Sequence, residues 1–221
     1  MNFLDIHTHL KYQNVAVNSI FSVDVVVNSK PVFLQDQPYS LGLHPWTAKL
    51  AQLPEQLRWL ETWAAMPNVV AIGECGLDKL RGEPLENQLE IFKAQAKLAQ
   101  MLYKPLIIHC VKAFDELIAI KKELNITVPM IIHGFNKNEA LGLQLVQQGF
   151  ILSFGKALLN PNSGAAKLIR LIDEFFLETD DGDATIETIY AAAAKLKNCS
   201  VDELKARIFA NWNKLIKVNN V

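Results

Sequence analysis

Five histidines stand in this chain of 221 residues, and each closes an apolar run. Phe3-Leu-Asp-Ile-His-Thr-His9 carries two of them. Ser40-Leu-Gly-Leu-His44, Pro105-Leu-Ile-Ile-His109 and Pro129-Met-Ile-Ile-His133 carry one each. Imidazole is the commonest protein metal ligand and the side chain best suited to proton transfer near neutral pH. Successive side chains of a strand point to opposite faces, so Asp5, His7 and His9 share one face while Leu4, Ile6 and Thr8 occupy the other. A His-x-His pair therefore offers two imidazoles to one ion. Asp5, one step deeper, can accept the other ring proton of a ligand and fix its tautomer. Burying such groups together without an ion is costly.

The acidic partners sit at the ends of similar runs. Glu74 ends Val69-Val-Ala-Ile-Gly-Glu74 and faces inward with Val70 and Ile72, where its two oxygens can each bind an ion; the ordinary alternative is a glutamate paired with a loop lysine. Cys75 then turns outward or into the loop, and Asp78, Lys79 and Arg81 read as loop polarity or substrate contacts. His109 and His133 occupy matching positions on consecutive strands, which favours ligands over satisfied core residues. Cys110 faces away from its neighbour His109, so a Cys/His nucleophilic pair is geometrically poor. The run Phe175-Phe-Leu-Glu-Thr-Asp180-Asp-Gly-Asp183 ends in acid. An aspartate there can bind a metal through one oxygen and take a proton from water through the other. The residues alone leave Asp180 and Asp181 both open for that role, and the spacing is not that of an EF-hand loop. His44, in Gly42-Leu-His-Pro-Trp46, reads either as a hydrogen-bonding support behind the ligands or as a substrate contact. Trp46 is a packing residue or a wall of the cleft.

These residues converge only if their strands close into one barrel. Strand patterns cover Phe3–His9, Ser19–Val27, Tyr39–His44, Val69–Glu74, Leu106–Cys110, Val128–His133, Phe150–Phe154 and Phe175–Thr179. Helical patterns separate most of them. Leu85, Leu89, Phe92, Ala96 and Ala99 form one apolar stripe, and Ser200-Val-Asp-Glu203 is a capping box opening a helix with Leu204, Ile208, Trp212 and Leu215 on one side. Eight strands alternating with helices predict a TIM-type (β/α)8 barrel. The chain is shorter than the usual barrel of about 250 residues, and no amphipathic helix is evident between His9 and Leu41, so the second β/α unit is expected to be abbreviated. Asn160-Pro-Asn-Ser-Gly164 reads as a loop or helix start, and the whole chain, 1–221, as a single domain.

Bulk properties bound the function. Half the residues are apolar and the net charge is −1, which excludes a general grip on nucleic acid or anionic membrane. Asp5 and His7 interrupt any signal-peptide core, no apolar stretch is long enough to span a membrane, and nothing points to an obligate protein partner. Three widely spaced cysteines fit reduced thiols in the cytoplasm.

Taken together the motifs resemble the TatD family of metal-dependent hydrolases, within the amidohydrolase-like superfamily. The matching segments are Asp5-Ile-His-Thr-His9, Gly42-Leu-His-Pro45, Gly73-Glu-Cys-Gly-Leu-Asp78, Lys104-Pro-Leu-Ile-Ile-His109, His133-Gly-Phe135 and Glu178-Thr-Asp180. Gln88 followed by Phe92, and Gly149, also match. The resemblance implies two divalent ions, Zn, Mg or Mn, one held by His7, His9, Glu74 and Asp180 and the other by Glu74, His109 and His133. It selects Asp180 over Asp181 as the carboxylate that activates water. It further implies ester hydrolysis, with phosphodiesters such as DNA 3′ ends or damaged DNA as substrates. Two features depart from the family: the segment after His9 is short, and Asp181-Gly182-Asp183 stands where a proline is usual. Alternatives are amide or lactone hydrolysis at the same centre, or a non-catalytic metal-stabilised scaffold. Related amide-hydrolysing barrels often bridge their metals with a carboxylated lysine, where this chain has Glu74. A degenerate scaffold is expected to lose ligands, whereas all six candidates are present.

Overall fold

A computed structural model describes residues 1–10, 16–25 and 31–217. Eight strands follow in chain order: β1 (Phe3–Thr8), β2 (Val17–Asp24), β3 (Tyr39–Gly42), β4 (Val69–Asp78), β5 (Leu106–Val111), β6 (Met130–Ile132), β7 (Ile151–Phe154) and β8 (Phe175–Leu177). The helices are α1 (Leu53–Ala64), α2 (Leu85–Met101), α3 (Phe114–Glu123), α4 (Glu139–Gln147), α5 (Gly164–Ile169), α6 (Ile186–Lys197) and α7 (Val201–Lys217). Among the described residues no helix lies between β1 and β3, as the missing amphipathic pattern there predicts. Residues 26 and 27, the end of the expected second strand, lie outside the described residues. No helix among the described residues is long and apolar enough to cross a membrane.

The chain divides into two compact units, Met1–Phe21 with Ile131–Val221, and Ser22–Met130. In the first, β1 pairs in parallel with the start of β2, Phe3 opposite Val17, and β7 pairs in parallel with β8. A bridge from Thr8 to Asp180 ties the end of β1 to the residues after β8. The interior is apolar and fully buried, with Ile6, Phe154, Phe175 and Phe176 at its centre. Helix α6 is fastened to β1 by one phenol: Tyr190 Oη donates to Leu4 O at 2.9 Å and accepts from Leu4 N at 3.3 Å. The Ser200/Glu203 capping box forms, satisfying backbone donors at the start of α7. Leu204, Ile208, Trp212 and Leu215 are buried beneath that helix. Ser163 caps α5, so the Asn160–Gly164 stretch is both loop and helix start.

In the second unit β3 pairs in parallel with β4, and β4 with β5. Strand β4 runs on to Asp78 rather than ending at Glu74. Cys75 is therefore fully buried and not turned into a loop, and its burial pushes the thiol pKa up. The extension depends on glycine. Gly76 has φ +141°, and a Cβ there would meet His109 O at 2.0 Å, so only glycine allows β5 this approach. Helix α2 buries two glutamines beside its apolar stripe. Gln95 accepts from Leu43 N at 2.7 Å and donates to Leu43 O at 3.1 Å, satisfying the backbone where β3 has ended. Gln88 does the same for the end of β4, accepting from Asp78 N at 2.7 Å.

Candidate metal centre

Strand β1 presents Asp5 and His7 on one face, both buried, with His9 exposed just beyond its end. Asp180 is brought to these histidines by backbone bonds on both sides: its N–H donates to His7 O at 3.0 Å, and its carbonyl accepts from His9 N at 3.1 Å. It adopts φ +54°, a left-handed conformation that aspartate tolerates better than most side chains. Oδ1 of Asp180 then lies 3.6 Å from His7 Nε2 and 3.8 Å from His9 Nε2. The His133 ring is 4.4 Å from that of His7, and one ligand atom each from His7, His133 and Asp180 fall within 4.8 Å of one another.

Asp5 takes a different partner from the one expected. Its carboxylate accepts from Thr179 N at 3.0 Å and Thr179 Oγ1 at 2.7 Å, not from a ligand imidazole. It therefore holds the residue next to Asp180 instead of a histidine tautomer. Burial pushes the Asp5 carboxyl up to about 7, against the lowering effect of the Thr179 bonds.

In the second unit Glu74 is the hub. Its Oε1 is 3.1 Å from His44 Nε2 and 3.0 Å from His109 Nδ1. Trp46 N donates to His44 Nδ1 at 3.1 Å, so the His44 proton sits on Nε2 and is donated to Glu74. His109 faces a carboxylate on each nitrogen, since Nε2 is 3.1 Å from Asp78 Oδ2. A neutral imidazole has only one N–H. A neutral ring thus donates to one carboxylate and turns the lone pair of its other nitrogen toward the second, an arrangement that a cation between nitrogen and oxygen completes. That arrangement, and the His7/His133/Asp180 cluster, suit a divalent metal with nitrogen and oxygen ligands.

Sequence reasoning missed two carboxylates. Asp78, read as loop polarity or a substrate contact, is buried at the end of β4, where it accepts from Trp46 Nε1 at 2.7 Å and Leu80 N at 2.8 Å. Burial pushes its carboxyl up, but the hydrogen bonds from Trp46, Leu80 and His109 outweigh that and hold it below the usual range. Glu178 is fully buried. It accepts from Gly134 N at 2.5 Å and lies 3.4 Å from His133 Nδ1, while its Oε2 has no hydrogen-bond partner among the described residues. Its place in an apolar-to-acidic strand end, one residue before Thr179, was the available signal.

The *Escherichia coli* TatD homologue YjjV has a solved structure that superposes with a TM-score of 0.77 at 22% identity, covering 97% of this chain and 98% of that one. The fold is thus the TIM-type barrel that the alternating pattern predicts. Among sequence relatives, the uncharacterized metal-dependent hydrolase YabD of *Bacillus subtilis* is 28% identical over 198 residues, 81% of this chain and 77% of its own. The 3′-5′ ssDNA/RNA exonuclease TatD of *Erwinia billingiae* is 38% identical over 102 residues, 42% of this chain and 36% of its own. Fold and relatives together define a barrel hydrolase of the metal-dependent class. Residues 33–217 match the family described as TatD related DNase, and the chain belongs to that family. Asp5, His7 and His9 precede the matched segment.

Proposed function

We propose that this metal-dependent hydrolase is a phosphodiesterase acting on nucleic-acid ends, with His7, His9, Glu74, His109, His133 and Asp180 as ligands for two divalent ions, Zn, Mg or Mn. The observation that carries the reading is His109 set between Glu74 and Asp78, a donor arrangement completed by a cation. Two bound ions supply Lewis acidity that activates a water and offsets charge on the phosphoryl oxygens. Asp180, about a third exposed, takes the proton of the attacking water. Glu74 is oriented by the His44 N–H. Asp5 fixes the segment that carries Asp180 through Thr179. The *Erwinia* relative, by its name an exonuclease on single-stranded DNA and RNA, supports 3′ ends as the substrate. A cytoplasmic setting is supported by Cys75, Cys110 and Cys199, which form no disulfide.

The test is metal analysis of the purified protein, then a screen of phosphodiesters and DNA ends with each divalent ion added back. About two ions per chain are expected, with 3′-end cleavage that His109→Ala abolishes. Failure of the metal-loaded protein to hydrolyse any phosphodiester overturns the proposal.

A further inference from the structure

We infer that Trp46 and Arg81 form a stacking subsite for an unpaired nucleobase beside the candidate metal ligands of the second unit. The inference rests on the phosphodiesterase reading and adds the part of the substrate that lies next to the scissile phosphate. Trp46 is 43% exposed, yet it is not a loose surface side chain. Its Nε1 donates to Asp78 Oδ2 at 2.7 Å, and its ring centroid lies 4.8 Å from that of His44 and 5.4 Å from that of His109. The Arg81 guanidinium sits over the indole, 4.5 Å from the centroid.

The loop carrying Arg81 is held in place. Gln88 Nε2 donates to the carbonyls of Asp78, Arg81 and Glu83 at 2.9, 2.9 and 2.7 Å. Gly82, at φ +86°, lies where a Cβ would meet Pro45 O at 2.1 Å, so the loop packs directly on the His-Pro-Trp turn. The two cations of this loop differ in kind. Lys79 is neutralised by Glu116 at 2.6 Å, whereas Arg81 makes no ion pair among the described residues. A rigid exposed indole under an uncompensated guanidinium offers a flat cationic face, which suits a base with its adjoining phosphate. Pre-organisation lowers the ordering cost of binding. A base within a duplex is already stacked, so the subsite takes an unpaired one.

The experiment measures binding of two phosphorothioate-linked, single-stranded oligothymidylates to the full-length protein with its metals as purified. One oligonucleotide is complete, and the other has an abasic 3′-terminal residue; the linkage slows hydrolysis. Wild type is expected to favour the complete strand by about tenfold, the scale of one base–aromatic stack. Trp46→Leu and Arg81→Ala should reduce that ratio towards one, while Trp46→Phe, which keeps a ring but loses the Asp78 bond, should retain most of it. Using the ratio cancels any general loss of affinity in a variant. Equal binding of both strands by wild type overturns the subsite, as does a ratio that survives Trp46→Leu, or no binding of either strand. Hydrolysis of unmodified strands is read separately, so failure of the phosphodiesterase reading shows there and not in the ratio.

Discussion

At the scale of single residues the site depends on carboxylates aimed at histidines. Asp180→Asn keeps the shape but cannot take a proton, and is expected to lower kcat on a phosphodiester by about 10²–10⁴-fold, measured with the fold checked by circular dichroism. His44→Ala removes the N–H that orients Glu74. Loss of such a supporting bond typically costs about 10–100-fold in metal affinity or activity, to be read by competition with a chelating dye. The histidines and Glu74 were legible because alternation along a strand decides which face each side chain takes. Asp78 was not, since its role depends on β4 continuing four residues past Glu74, which Gly76 permits through an approach to β5 that no local pattern encodes. Asp5 was half legible. Its burial followed from the strand pattern, but its partner, Thr179, is 174 residues away.

At the scale of elements, close backbone approach and buried amides position the strand ends. Gly76→Ala places a Cβ against His109 O and forces a disfavoured φ, and should destabilise by about 3 kcal/mol or more, combining clash and backbone strain. Gln95→Leu leaves Leu43 N and O without their side-chain partner. A loss of about 1–3 kcal/mol per unsatisfied buried group is expected, measured by urea denaturation. The apolar stripe of α2 was visible in its spacing, but its buried glutamines break that stripe. Their reason lies in the strand ends they satisfy, not in the helix itself.

At the scale of the whole molecule, both cuts between the compact units fall inside strands, within β2 and within β6. The expectation that 1–221 is a single domain predicts one cooperative unfolding transition, with tryptophan fluorescence and circular dichroism coincident. A transition that splits between the two signals would count against it. Ions bound only by the folded chain stabilise it by mass action, so dialysis against EDTA should lower Tm and restored divalent metal should raise it again. An unchanged Tm would sink tight metal binding.

The sequence by itself determined the alternation of strands and helices, the absence of a helix between β1 and β3 among the described residues, the capping box of α7, and the strand-end placement of the histidines. All of these follow from periodicities of two and 3.6 residues and from local capping chemistry. Only the tertiary structure decided that Asp78 closes on His109, that Asp5 serves Thr179, that Glu178 is buried beside His133, and that Arg81 stacks on Trp46. These pairings join residues far apart in the chain, and their geometry is set by packing and close backbone approach, which no local spacing specifies.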